Sequence, residues 1–145
     1  MKVLALDIGE KRVGVAWGDT DTRIALPICV IEASDALSNS ARFQSIIEDH
    51  RPELLVVGLP ISLDGQENYQ AEQVKQVAER IAETLCVPLV YQDERLTSTE
   101  AKRYLRKAGC TEREMRGKID MLAASIILQA YLDSYQNERL GAIRN

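Results

Sequence analysis

The chain has 145 residues, 46% hydrophobic and 28% charged, with a formal net charge of −4. This length and balance fit one globular domain with a real core, and exclude a disordered chain or a disulfide-stapled miniprotein. No apolar run is long enough to span a bilayer and the N-terminus lacks signal-peptide features, so a cytoplasmic protein with no membrane partner is expected. Cys29, Cys86 and Cys110 are odd in number and lack CxxC spacing, which reads as free thiols. His50 is the only histidine, so no multi-histidine metal site can be built, and it reads as an ordinary solvated residue near a helix end.

In chain order, Lys2 to Gly9 reads as a strand buried on both faces, since Val3, Leu4, Ala5, Leu6 and Ile8 show no polar alternation. Asp7 interrupts that run near its carboxyl end, where a carboxylate must be paired, hydrogen-bonded or bound to a cation. A tight connection leads to a second strand, Arg12 to Gly18, antiparallel to the first. Gly14 within it marks a close backbone approach or a bend. A third strand is expected from Thr22 to Ile31, with Ile24, Leu26, Ile28 and Val30 on one face and Pro27 confining it to the sheet edge. Ser38 to His50 reads as one helix, stopped by Arg51-Pro52. Glu53 to Gly58 is a central parallel strand by its continuous apolar run. Leu59 to Gly65 is a loop, Gln66 to Leu85 an amphipathic helix and Val87 to Gln92 a fifth strand. Thr97-Ser-Thr-Glu100 matches a capping box opening the next helix, with Gly109 as its stop. Cys110 to Gly117 reads as a charged connection, and Lys118 to Tyr135 as the last helix. The expected layout is a single domain over residues 1–137 and a flexible tail over 138–145. Strands alternating with helices imply crossovers and a sheet covered on both faces.

Three acidic positions converge in this scheme. At about 100° per residue, Asp120 shares the apolar face of its helix with Ala123, Ala124, Ile127 and Tyr131. Read in the first turn, its charge gains from the helix dipole. Asp7 ends the first strand, and Asp93 and Glu94 end the fifth. With strands one, four and five parallel, these acids share the sheet edge where ligands of open α/β sheets bind. Strand alternation lets only one of Asp93 and Glu94 point to the site, and spacing does not choose between them. Clustered carboxylates need a cation, and oxygen-only ligation suits Mg²⁺ or Mn²⁺, one or two ions, over zinc. The chemistry such a site serves is attack of water on a phosphodiester. From Arg95 to Lys118 the chain carries eight Lys/Arg against three Glu, a basic stretch on an acidic protein. Arg95, Lys102, Arg103, Arg106 and Lys118, with Lys11 and Arg12 after the first strand, are the candidate contacts to a nucleic-acid backbone. Aromatics are scarce, so no stacking platform for single strands is evident.

Four stretches resemble the YqgF (RuvX-like) proteins of the RNase H-like superfamily: Leu6-Asp-Ile-Gly-Glu-Lys-Arg-Val-Gly-Val-Ala16, Val56-Val-Gly-Leu-Pro-Ile-Ser-Leu-Asp-Gly65, Asp93-Glu-Arg-Leu-Thr-Ser98 and Lys118-Ile-Asp-Met-Leu-Ala-Ala124 with Ile127-Leu-Gln129. The resemblance spans about Lys2 to Leu132. It implies a three-layer α/β nuclease fold whose five-stranded mixed sheet has order 3-2-1-4-5, strand two antiparallel. It places the family's acidic positions on Asp7, Glu94 and Asp120, as catalytic residues and metal ligands. Members are described as Holliday-junction resolvases and as nucleases that process the 5′ end of pre-16S ribosomal RNA. The implied activity is a metal-dependent hydrolase acting on precursor rRNA or branched DNA, as a monomer or weak dimer. Two other classes compete: a nucleic-acid-binding module without catalysis, and a nucleotide-binding domain of the actin and sugar-kinase type, suggested by Asp7-x-Gly9-x4-Gly14. The second needs two such domains around a cleft, and this length supplies one.

Overall fold

The computed structural model describes residues 1–61, 68–94 and 97–144, with the backbone alone at 97, 98, 104, 116, 117 and 136–144. The first strand lacks polar alternation because both its faces are covered: Val3, Leu4, Ala5 and Leu6 are fully buried. This strand, β1 (Lys2–Ile8), pairs antiparallel with β2 (Arg12–Asp19), which pairs antiparallel with β3 (Ala25–Glu32). On its other side β1 runs parallel to β4 (Leu54–Leu59), and β4 parallel to β5 (Leu89–Asp93). The sheet order is β3-β2-β1-β4-β5, as expected. The helices are α1 (Ala33–Ser38), α2 (Ala41–His50), α3 (Tyr69–Leu85), α4 (Thr97–Lys107) and α5 (Glu112–Arg144).

Alternation along the strands divides the core in two. Leu4, Leu6 and Ile8 of β1, with Val13, Val15, Leu55 and Val57, pack under α1, α2 and α3 through Ala36, Phe43, Ala71, Val74 and Ile81. Val3 and Ala5, with Ala16, Leu54 and Val56, pack under α5 through Ala124, Ile127, Leu128 and Leu132. Each of these large α5 side chains, almost wholly buried, contributes about 1.5–3 kcal/mol relative to exposure. The helix touches all five strands, and α4 packs against it.

Four expectations need correction. The single helix Ser38–His50 is two helices, because Asn39 takes a left-handed conformation (φ 52°) and Ser40 starts α2 by accepting a hydrogen bond from the Phe43 N–H. Asn is among the few residues that adopt this conformation readily. The third strand does sit at the edge, but a bulge breaks its face. Val15 pairs with Cys29 and Ala16 with Pro27, so Ile28 has no partner in register. Ile24 and Leu26 are accordingly exposed, while Ile31 is buried. The last helix begins at Glu112, inside the expected charged connection. Thr111 caps it, accepting a hydrogen bond from the Glu114 N–H and donating its hydroxyl to the Glu114 carboxylate, in a stretch whose charges masked the signal. At its other end the helix continues past Tyr135 to Arg144, through most of the expected tail. Finally, His50 is not simply solvated: it is half-buried, its Nδ1 lies 2.9 Å from the Ile46 carbonyl oxygen, and its ring lies 5.5 Å from that of Trp17. The three cysteines are free thiols, and among the described residues no helix is long and apolar enough to cross a membrane.

Candidate active site

The strand register decides which way each acid points. Asp7 pairs with Gly14, two positions beyond the Ala5–Ala16 pair, so it belongs to the face that α5 covers. Gly58 pairs with Gln92 and Leu59 with Asp93, and Leu59 belongs to the opposite core. Asp93 therefore turns away from α5, and Glu94, one residue on, turns toward it. The geometry agrees: a Cβ built on Gly58 would lie 2.7 Å from Glu94 Oε2 and 2.5 Å from Ile127 Cδ1. The Glu94 side chain thus crosses the bare backbone at Gly58 to reach β1. Of the two acids that spacing leaves open, Glu94 is the one turned toward Asp7, and its N–H donates to the Leu59 carbonyl at 3.3 Å.

Asp7 and Glu94 are hydrogen-bonded through their carboxyls. Burial, then the Asp7 charge and this hydrogen bond, push Glu94 up to about 8. At neutral pH the pair therefore retains a proton between its two carboxyls. Burial also raises Asp7, against the opposing effect of the Glu94 hydrogen bond, and the Asp120 charge raises it further. Asp120 reaches this neighbourhood because Gly14 carries no side chain. A Cβ there would lie 2.5 Å from the Asp120 carbonyl carbon and closer still to its oxygen, so the α5 backbone rests directly on β2 opposite Asp7. The close approach expected at Gly14 is this one.

Asp120 is not in the first turn of its helix, because α5 starts eight residues earlier. The dipole argument for its charge falls, since that effect fades beyond the first turn. A cation takes its place: Arg12 Nε lies 3.4 Å from Asp120 Oδ2, with the two side chains 61% and 33% exposed. This partnership escaped sequence reasoning because Arg12 and Asp120 are distant in the chain.

Among the described residues no group of three or more acidic, His or Cys side chains is drawn together as a closed metal cage. The arrangement is instead a carboxyl pair with a third carboxylate within Coulombic reach. That donor set fits Mg²⁺ or Mn²⁺, which commonly take one or two protein carboxylates and complete their octahedron with water and substrate phosphate. Of the basic candidates, Lys11 and Arg12 lie exposed at the β1–β2 connection, and Lys118 lies exposed on α5 two residues before Asp120. Lys102, Arg103 and Arg106 line a groove along α4 with Thr99 and Lys107. Arg106 also pairs with Glu112 at 3.4 Å. Arg95 lies outside the described residues.

The family model of RuvX, described as a Holliday junction resolvase, matches residues 1–134. The chain belongs to the RuvX family. Curated relatives each named "Putative pre-16S rRNA nuclease" support the RuvX assignment along nearly the whole length. A Chloroflexus aurantiacus protein is 41% identical over 132 residues, covering 91% of this chain and 86% of the relative. One from Caldanaerobacter subterraneus subsp. tengcongensis is 41% identical over 138 residues, covering 94% and 99%. Among solved structures, this RuvX chain resembles T. thermophilus RuvC in complex with Holliday junction substrate (TM-score 0.57, 15% identity, 94% of this chain and 96% of that one). It also resembles the Fowlpox virus resolvase in complex with Holliday junction DNA (TM-score 0.58, 13% identity, 93% and 99%). At these identities the likeness is one of fold, and it bears out the RNase H-like architecture.

Proposed function

We propose that this chain is a metal-dependent nuclease that hydrolyses phosphodiester bonds in structured nucleic acid, processing the 5′ end of pre-16S ribosomal RNA in the cytoplasm. One observation carries the reading: Asp7, Glu94 and Asp120 lie on one face of the sheet at its carboxyl edge, two of them so close that they share a proton. Half-buried carboxyls with raised pKa values are costly to fold around, and such perturbed groups gather where chemistry is done. A binding module without catalysis has no use for them. The family and the names of the curated relatives point the same way.

In this reading Asp7, Glu94 and Asp120 hold one or two Mg²⁺ or Mn²⁺ ions. The bound cation would supply charge stabilisation at the attacking and leaving oxygens. The chain's own part is positional. Asp7 is fixed by the central strand, Asp120 by α5 lying on Gly14, and Glu94 by its path over Gly58. For metal to bind, Glu94 gives up its shared proton. Lys11, Arg12, Arg95, Lys102, Arg103, Arg106 and Lys118 line the backbone of the substrate, and Arg12 exchanges Asp120 for phosphate. Residues 1–137 act as one nuclease domain, as a monomer or weak dimer.

The test is cleavage of two labelled substrates, a precursor rRNA fragment and a four-way DNA junction, with Mg²⁺ or Mn²⁺. Asp7→Asn and Asp120→Asn should each reduce cleavage by at least about 10²-fold, the order seen when one preorganised charge-stabilising group is lost, with binding retained. Preference for the junction would transfer the same chemistry to the substrate named in the family description. Absence of metal-dependent cutting of either, with binding intact in both variants, would refute the nuclease reading.

A further inference from the structure

On the far side of the same sheet edge, away from α5, lies a cavity of about 330 Å³ between the β1–β2 connection, α1 and α3. Its bed is apolar, from Ile8, Leu37 and Val77, while Gln70, Gln73 and Gln76 project along one face of α3. Gly9 and Glu10 of the β1–β2 connection complete the lining with Ala33 and Val74. Among the described residues the lining contains no Lys or Arg and one carboxylate, Glu10, which disfavours a phosphate. Three uncharged amides offer donors and acceptors together over an apolar floor, the chemistry that suits the edge of a flat, neutral heterocycle. The volume is at the small end of ligand sites and ample for one base.

A second observation comes from Tyr69, the most exposed of the large apolar side chains among the described residues, at 78%. Its hydroxyl accepts a hydrogen bond from Nε2 of Gln73, a residue of the lining, at 2.9 Å, which ties the ring to the rim of the cavity without making it part of the wall. An aromatic left in water next to an amide-lined hollow is a stacking face. Position supplies the third element. Ile8 and Gly9 of the cavity directly follow Asp7 in the chain, a reach of at most about 7 Å along the backbone. A strand whose phosphate lies at the acids can therefore place a neighbouring base in the hollow once that base is unpaired.

We infer that this cavity is a subsite for one unpaired nucleobase of the substrate strand, stacked on Tyr69 and hydrogen-bonded by the α3 glutamines. The inference rests on the proposed nuclease reading for its substrate and adds a preference for a single-stranded position beside the cut. It also locates the aromatic platform that residue counts alone fail to reveal.

The test is binding by the full chain in EDTA, where cleavage plays no part, to two RNAs of equal length and charge. One is a continuous duplex. The other is a duplex with a single-stranded tail carrying 2-aminopurine at its first unpaired position. Tyr69→Ala and Gln73→Ala should each weaken binding to the tailed RNA by about 10-fold, the order expected for one lost base stack, and leave duplex binding unchanged. Tyr69→Phe should keep most of the affinity, and 2-aminopurine emission should be quenched with wild type but not with Tyr69→Ala. Both side chains are exposed, so the variants are expected to melt as wild type does. Equal losses on both RNAs, or no loss on either, would overturn the subsite. Tail selectivity in a chain that cuts neither substrate would uphold the subsite while refuting the nuclease reading.

Discussion

Gly14→Ala tests whether the third acid is placed by backbone contact. The added methyl would lie 2.5 Å from the Asp120 carbonyl carbon and 3.1 Å from the Met121 nitrogen. Carbon atoms in contact sit at about 3.5 Å or more, so α5 must retreat by about 1 Å at this point. The obstruction is main chain on both sides, and neither a rotamer change nor a flexible tip can relieve it. Overpacking of this kind costs about 1–3 kcal/mol, against a gain of about 0.5–1 kcal/mol for replacing glycine inside a strand. Urea unfolding should show a net loss of stability. The larger effect falls on chemistry: a shift of about 1 Å in a catalytic group can cost about 10²-fold in rate. Cleavage by Gly14→Ala should fall by that order at a temperature where far-UV circular dichroism shows the protein folded. A variant that cuts within twofold of wild type, with an unchanged unfolding midpoint, would refute the argument that Gly14 sets the position of Asp120.

Glu94 should impose a pH dependence of definite sign. Its proton leaves near 4.5 in the unfolded chain and at about 8 in the folded one. The metal-free folded state thus binds more protons between those values, and its stability should fall as pH rises from about 4.5 to about 8. Over the upper part of that range the affinity for Mn²⁺, measured by calorimetry, should instead rise with pH, because the cation displaces the proton. Glu94→Gln should flatten both trends, and a wild-type protein with pH-independent Mn²⁺ affinity between pH 6 and 8.5 would contradict the shared proton. On the basic surface, Lys102→Ala and Arg103→Ala should each weaken binding of duplex RNA without changing stability by more than about 0.5 kcal/mol. Each should also lower the slope of log affinity against log salt by about one; an unchanged slope would remove α4 from the nucleic-acid interface.

Much of this architecture is written in local patterns. The unbroken apolar run of β1, the proline that consigns β3 to the edge and the inward-facing Asp120 all follow from periodicity, and they locate two of the acids before any coordinates. What escapes is set by contacts between distant segments or by single-residue backbone choices. The left-handed Asn39 divides one expected helix into two, and one residue added at Ile28 exposes Leu26. The choice between Asp93 and Glu94 depends on the pairing of β5 with β4, which no local signal contains. The Arg12–Asp120 pair likewise joins a strand start to a helix interior. The Thr111 N-cap is legible as Thr-x-x-Glu, but the charges around it imitate a loop.

The three acids differ in how their backbones are anchored, and this divides the labour of adapting to different occupants. Asp7 is paired with Gly14 of β2, one residue beyond the last β1–β4 pair, and Asp120 rides on a helix whose buried Ile127, Leu128 and Leu132 lock it to the sheet. Neither can shift without opening the core. Glu94 stands one residue past the end of β5, and among the described residues its main chain is tied by one hydrogen bond, 3.3 Å to the Leu59 carbonyl. The site thus resembles a vice with two fixed jaws and one sliding one. A change in cation radius, or in the number of ions seated, should be registered as travel of Glu94, while the spacing between Asp7 and Asp120 stays constant.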